Sequence, residues 1–241
     1  MAYPTNSDKK TARIAGALYF VLILGGIFYL RYVPSKLIVW DNPSATVRNI
    51  IASETLFRLS ILVGLFGQTL FLFLPMVLYK LLSPVNKTHA ILMVTLAAVS
   101  VPISLVNLLN KFAILTLVSK ANYLSAFEPE QLNAQVMFYL DSYYSGIQIA
   151  SIFWGLWLFP FGYLVFKSGF LPKIIGILLM FGCFGYLINF VGNFLFPTYG
   201  ETLLSSVITK PGSFGELGIC LWLLIMGVKT QNQATTQGNR F

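Results

Sequence analysis

Runs of about twenty consecutive apolar residues recur along this chain, and few folds accept them. From Leu59 to Tyr79, for example, no charged side chain occurs. A run of that length crosses the bilayer's hydrocarbon core as a helix, with every backbone polar group bonded internally. A membrane β-barrel would instead show short segments of alternating polarity. Composition agrees: 56% of the residues are hydrophobic and 10% charged, whereas soluble domains carry about 25% charged residues. The sequence therefore specifies an all-α, polytopic membrane protein.

Six spans are read at about residues 14–30, 56–82, 88–118, 146–166, 171–196 and 211–228, forming one helical domain over 1–229. The polar stretch 230–241 is expected to be a disordered tail. Lys9, Lys10 and Arg13 ahead of the first span resemble the basic start of a signal peptide. The bulky Phe28-Tyr29-Leu30-Arg31-Tyr32 that follows lacks a small-residue cleavage site, so this span is expected to remain as an anchor.

Six spans put both termini and the short connectors Ser83–Lys87 and Lys167–Lys173 on one side. That side holds nine of the sixteen bases in the shorter total length and only one of the eight acids, Asp8. Basic density marks the cytoplasmic face, so both termini are expected there, in a cell membrane. On this reading Asn86-Lys87-Thr88 is an accidental glycosylation motif. Tyr29, Tyr32, Trp40, Tyr139, Tyr143, Tyr144 and Tyr199 collect near the opposite boundary. Two outer stretches look amphipathic: one capped at Asp41-Asn42-Pro43 and running to Ile51, the other opening at Glu128-Pro129 and running towards Tyr144.

The net charge of +8 does not signal nucleic acid, because the bases sit at helix ends rather than in a patch among stacking aromatics. Cys183 and Cys220 lie inside apolar runs and read as small core residues, and the single histidine, His89, rules out a histidine-based metal cage. No phosphate-binding loop, helical histidine pair or nucleophile elbow occurs, so no catalytic residue, cofactor or metal ligand is assigned.

Five ionisable residues lie in or beside the spans, all towards the outer side: Glu54, Arg58, Lys111, Asp141 and Glu216. Charge at membrane depth is costly and persists where it is paired or reached by water. Polar stripes at helical spacing accompany them. Ser100, Ser104, Asn107 and Lys111 form one; Asp141, Ser145, Gln148, Ser151 and Gly155 a second; Gly182, Gly185, Asn189 and Gly192 a third. Glu54, Arg58, Asn107, Lys111, Asp141, Gln148, Asn189 and Glu216 are thus the candidate lining of an outward-facing polar pocket for a small polar or lipid-like ligand. The competing reading is that glycines and amides merely join helices and the charges stitch them together. A third is an intramembrane enzyme acting on lipid. Pro75, Pro102 and Pro160 are candidate kinks. Arg13–Leu18 weakly repeats Lys173–Leu178.

Several segments carry a family resemblance. They are Ser35-Lys36-Leu37-Ile38-Val39, Asn49-Ile50, Ala52 to Leu59, the Pro84-Val85-Asn86-Lys87 turn, Gly162-Tyr163-Leu164-Val165 with Phe170-Leu171-Pro172, Gly185-Tyr186-Leu187, and Glu216 with Trp222-Leu223-Leu224. Together they resemble domain of unknown function 4386, a family of multi-pass bacterial membrane proteins. The resemblance covers about residues 9–229 and is weakest across 113–135. It implies a multi-pass protein and carries over no functional residue, although Glu54 and Arg58 fall in its most distinctive segment.

Overall fold

The computed structural model describes residues 5–119 and 121–228. Among them every regular element is helical. The first, α1, runs Asn6–Ile27; a π-helical turn, Phe28–Tyr32, joins it to α2, Val33–Leu37. Then come α3 (Pro43–Ala52), α4 (Glu54–Leu82), α5 (Lys87–Asn107) and α6 (Leu109–Val118). A 3-10 turn at Asn122–Ala126 precedes α7 (Pro129–Leu156) and α8 (Leu158–Lys167). The last described elements are α9 (Lys173–Leu195), a 3-10 turn at Tyr199–Glu201, α10 (Leu203–Ile208) and α11 (Lys210–Ile225).

Among the described residues five continuous helical stretches are long and apolar enough to cross a membrane: Asn6–Leu37, Glu54–Leu82, Lys87–Val118, Pro129–Lys167 and Lys173–Leu195. The 16-residue α11 reaches only about 24 Å, short of the ~30 Å hydrocarbon core. The 39-residue Pro129–Lys167 stretch reaches about 58 Å, so much of it extends beyond a bilayer. The amphipathic segment opening at Pro129 is therefore no separate surface helix but the same rod as the fourth span. Its counterpart is separate: α3 starts at Pro43 and is capped by Asn42, whose side chain accepts from the Ala45 amide at 2.9 Å.

The prolines act unequally. Pro75 and Pro102 lie within continuous helix, whereas the turn at Trp157 comes three residues before Pro160, where the absent N–H leaves the Leu156 carbonyl without its usual donor. The other break, at Leu108, has no adjacent proline; the Leu108 amide is shared there between Ser104 and Leu105 carbonyls.

The chain divides into two compact units whose boundaries fall inside α1, α4, α5 and α7. Of the described residues, the first holds those up to Val21, Leu70–Ser100 and those from Ser151 on. Here small residues let helices touch backbone to backbone. A Cβ on Gly182 would lie 2.5 Å from Gly212 Cα, and one on Gly176 would lie 2.6 Å from the Gly162 carbonyl oxygen. α11 runs antiparallel to α1, with three successive ties: the Arg13 guanidinium donates to the Ile225 carbonyl at 3.3 Å, the Cys220 thiol to the Gly16 carbonyl at 3.6 Å, and the Tyr19 hydroxyl to Glu216 at 2.8 Å. Gly227, at φ +70°, closes α11 in the left-handed conformation that glycine adopts without strain. Cys183 and Cys220 are free and buried, matching their reading as small core residues.

The second unit spans Leu22–Thr69 and Val101–Ala150. Its core is an apolar cluster of Val33, Leu37, Ile50, Phe57, Ile61, Ile114, Leu115, Val136 and Leu140. The aromatic residues expected at a membrane boundary divide in two. Tyr32 and Trp40 are exposed, but Tyr29 and Tyr143 are buried against protein, as is Tyr199 in the first unit. The tail 230–241 lies outside the described residues.

Candidate functional site

The second unit holds six of the eight candidate residues. Asn107 and Lys111, one helical turn apart, are both buried, at 7% and 3% exposure. Ser100 and Ser104 on the same stripe are buried too, so this stripe faces protein as its spacing predicts. Asn107 is fully engaged. Its amide nitrogen donates to the Tyr143 carbonyl at 2.8 Å, and its Oδ1 accepts from Asn110 at 2.9 Å. Opposite it stands Gly146, whose missing Cβ leaves the room that the amide occupies. Asn107 is thus a clamp between helices.

Lys111 is different. Its ammonium donates to the Ser60 hydroxyl at 3.3 Å and lies 4.5 Å from the centre of the Tyr143 ring and 5.7 Å from that of Phe57. The ring faces offer a cation weak electrostatic attraction but do not neutralise it. Among the described residues the one ion pair is Arg58 with Glu54, so no carboxylate balances Lys111. The Tyr143 hydroxyl, also buried, finds no hydrogen-bond partner. Both residues line a small cleft of about 10 Å³ whose other walls include Leu37, Ile38, Phe57, Leu140 and Tyr144. Nearby polarity extends to Gln68, which donates to the Tyr29 hydroxyl at 3.3 Å and whose Oε1 is itself unpartnered.

Glu54 and Arg58 form the i,i+4 pair that their spacing predicts, at 2.6 Å. The pair is open to the surroundings, with side chains 42% and 57% exposed. Asp141 and Gln148 lie on the exposed face of α7, as does Ser145. The outer part of the stripe they begin therefore does not turn towards the protein, whereas Ser151 is partly buried and Gly155 buried. The apolar positions Val136, Leu140, Tyr143 and Ala150 follow the same helical spacing and take the buried face instead.

A larger groove of about 510 Å³ also lies in this unit. Its walls are Val47 and Ile51 of α3, Leu117 and Val118 at the end of α6, Leu124 and Phe127 around the 3-10 turn, and Leu132 and Val136 of α7; Asn122, Ser125 and Asn133 supply polar atoms. None of the eight candidate residues lines it. Sequence carried a signal for it in the two amphipathic segments, but charge, which guided the choice of residues, pointed elsewhere. Of the eight, Lys111 alone borders the small cleft.

Asn189 and Glu216 belong to the first unit. Glu216 is half-buried and held by two phenols: Tyr19 donates at 2.8 Å and Tyr186 at 3.4 Å. It meets Tyr19 well along α1 rather than at that helix's end. Asn189 accepts from the Ser205 hydroxyl at 3.4 Å, and its carbonyl accepts from Asn193 at 2.7 Å. Gly182, Gly185 and Gly192 on the same face each receive a neighbouring group where a Cβ would stand, so this stripe packs helices. No group of histidine, cysteine, aspartate or glutamate among the described residues is placed to hold a metal ion.

The relatives of this sequence supply a family but no activity. An uncharacterized protein of Archaeoglobus fulgidus is 33% identical over 97 residues, covering 40% of this chain and 56% of that protein, so the match spans little more than half its length. No solved structure matches. Residues 14–227 match the family described as domain of unknown function DUF4386. The chain, an apolar helical protein with membrane-spanning helices, belongs to the DUF4386 family.

Proposed function

We propose that this protein crosses the cell membrane six times, with both termini cytoplasmic, and binds a lipid-like molecule in its outer half. Its sixth span would be α11, extended by the apolar α10. The antiparallel run of α11 along α1, tied at Arg13–Ile225 and Tyr19–Glu216, supports an even number of crossings. The concentration of bases on the terminal side supports its cytoplasmic assignment.

The observation that carries the binding reading is the groove between α3, α6 and α7. Its volume of about 510 Å³ falls within the ~300–1,000 Å³ usual for small-molecule sites. Val118 beside it ends a 32-residue helical stretch of about 48 Å, longer than the ~30 Å hydrocarbon core, which supports a groove at the level of the lipid head groups rather than deeper. Apolar walls with a few amide and hydroxyl groups suit an uncharged single-chain lipid. A diazirine-bearing decyl alcohol tests this in protein reconstituted into nanodiscs. Photolabel should concentrate on peptides containing Leu117–Val118 and Leu132–Val136, and Ile51→Trp with Leu132→Trp should reduce it severalfold. Even labelling of all lipid-facing helices, unchanged by the tryptophans, would rule the site out.

An accessory role without a ligand is favoured by different facts. The Glu54–Arg58 pair closes on itself, Asn107 is satisfied, and the glycines of α9 are spent on packing. On that reading the charges are stitching, and the photolabel finds no preferred peptide.

A further inference from the structure

We propose that Lys111 and Tyr143 form a second site, independent of the groove, for an oxyanion carried on an apolar chain. A buried ammonium without an acid is an uncommon arrangement, because the lost hydration must be replaced. Here the replacement is partial: one hydroxyl at 3.3 Å and two ring faces. An ammonium has three donors, and Ser60 engages one of them. Ser60 in turn donates its own proton to the Phe57 carbonyl at 2.6 Å, so its oxygen is left to accept from Lys111.

The second donor without a partner is the Tyr143 hydroxyl, on a side chain that borders the same cleft. Two buried donors beside one cleft, one cationic and one neutral, match the acceptor oxygens of a carboxylate or a phosphate ester. The remaining walls, Leu37, Ile38, Leu140 and the Tyr144 ring, offer hydrocarbon and no further charge. The space of about 10 Å³ is that of roughly one water, so it admits a single oxygen of the anion between the two donors. The alkyl chain lies outward along Ile38 and Tyr144, which are only partly buried. The ligand chemistry is therefore an anionic amphiphile, which a fatty acid or an acidic lipid head group would equally supply.

The test uses the full chain in dodecyl maltoside, following thermal unfolding while ligand is added. Decanoate should raise the midpoint saturably; decyltrimethylammonium should not. Lys111→Met should weaken the decanoate response about tenfold or more, since it removes the charge that the carboxylate meets. Tyr143→Phe keeps the ring and removes the hydroxyl, and should weaken it about threefold to tenfold; it serves also where Lys111→Met fails to fold. Inorganic phosphate reproducing the shift would mark the oxyanion itself as sufficient; phosphatidylglycerol in mixed micelles doing so, without phosphate, would mark the lipid head group. Ile51→Trp with Leu132→Trp blocks the groove, and the decanoate response should survive there even if the groove binds nothing. A decanoate shift that is absent, matched by decanol, or equal in wild type and Tyr143→Phe would overturn the proposal.

Discussion

Substituting Gly182 with alanine places a methyl group where α9 and α11 touch. Its carbon would lie 2.5 Å from Gly212 Cα, against the ~3.5–4.0 Å at which carbon atoms rest in contact. The obstacle is backbone, which cannot rotate aside, so the helices must part by about 1 Å or more. A gap of that order forfeits roughly a quarter to a half of the dispersion energy of each contact along the seam. Overpacking of this kind costs about 1–3 kcal/mol, and alanine's better helix propensity returns up to about 1 kcal/mol. A net loss of roughly 1–2 kcal/mol follows. Gly67→Ala is the control, because nothing lies within 4 Å of a Cβ there, and it should be neutral or slightly stabilising. Reversible unfolding in mixed dodecyl maltoside and dodecyl sulfate micelles reads both. Gly212→Ala should resemble Gly182→Ala, and the double variant should cost less than the sum, because the first methyl has already separated the helices. If alanine at 182 proves as harmless as at 67, close backbone contact is not what holds this seam.

Three other outcomes follow from the geometry. Exchanging the members of the Glu54–Arg58 pair should change stability by less than about 0.5 kcal/mol, because both side chains are largely exposed; the same micelle unfolding checks it. Asn107→Leu should cost about 1–2 kcal/mol, since it removes the bond to the Tyr143 carbonyl and one of the two bonds that the Asn110 amide makes to residue 107, the other going to its backbone carbonyl. Asn107→Asp should not restore the bond to the Tyr143 carbonyl. Cys183 and Cys220, both buried, should react with a water-soluble maleimide only after denaturation, counted by intact mass.

Much of the fold was legible because apolar length and helical spacing are local properties. The starts of α3 and α7 followed from Asn42-Pro43 and Glu128-Pro129, and the Glu54–Arg58 pair from its four-residue spacing. The buried stripe ending in Lys111 was visible for the same reason. What sequence could not rank was two stripes competing for one helix's inner face. On α7 the set running from Asp141 to Gly155 and the set Val136, Leu140, Tyr143 and Ala150 both have helical period, and the hydrophobic effect decides for the second along the outer part of the helix. Nor could it show that Tyr143 and Phe57 would stand over Lys111, since those contacts join residues far apart in the chain. Charge marks where burial would be costly; it does not mark where a volume is left open, and the groove is walled almost wholly by residues that charge-guided reading passes over.

The number of crossings rests on the last helix, and its length argues against itself. Sixteen residues span about 24 Å, roughly 6 Å less than the hydrocarbon core. Two features offset the shortfall. Leu203–Ile208 continues the apolar helix on the far side of a single turn residue, Thr209. Arg13 meets the Ile225 carbonyl at the end of α11, placing a cation where the helix dipole favours one and where a basic cytoplasmic margin is expected. Short helices are also tolerated when neighbours cover them, and α9 and α1 do so here through Gly182 and Gly16. With six crossings, reporter fusions to the N- and C-termini fall in the same compartment; with five they fall in opposite ones. Paired green fluorescent protein and alkaline phosphatase fusions should therefore report both ends as cytoplasmic. Arg13→Glu should leave that topology in place while weakening the tie to Ile225, because the other cytoplasmic bases still outnumber the change. Phosphatase activity at the C-terminus alone would return α11 to the membrane surface and make the crossings five, whereas the outer position of the groove, which follows the third crossing, would be overturned only by phosphatase activity at the N-terminus.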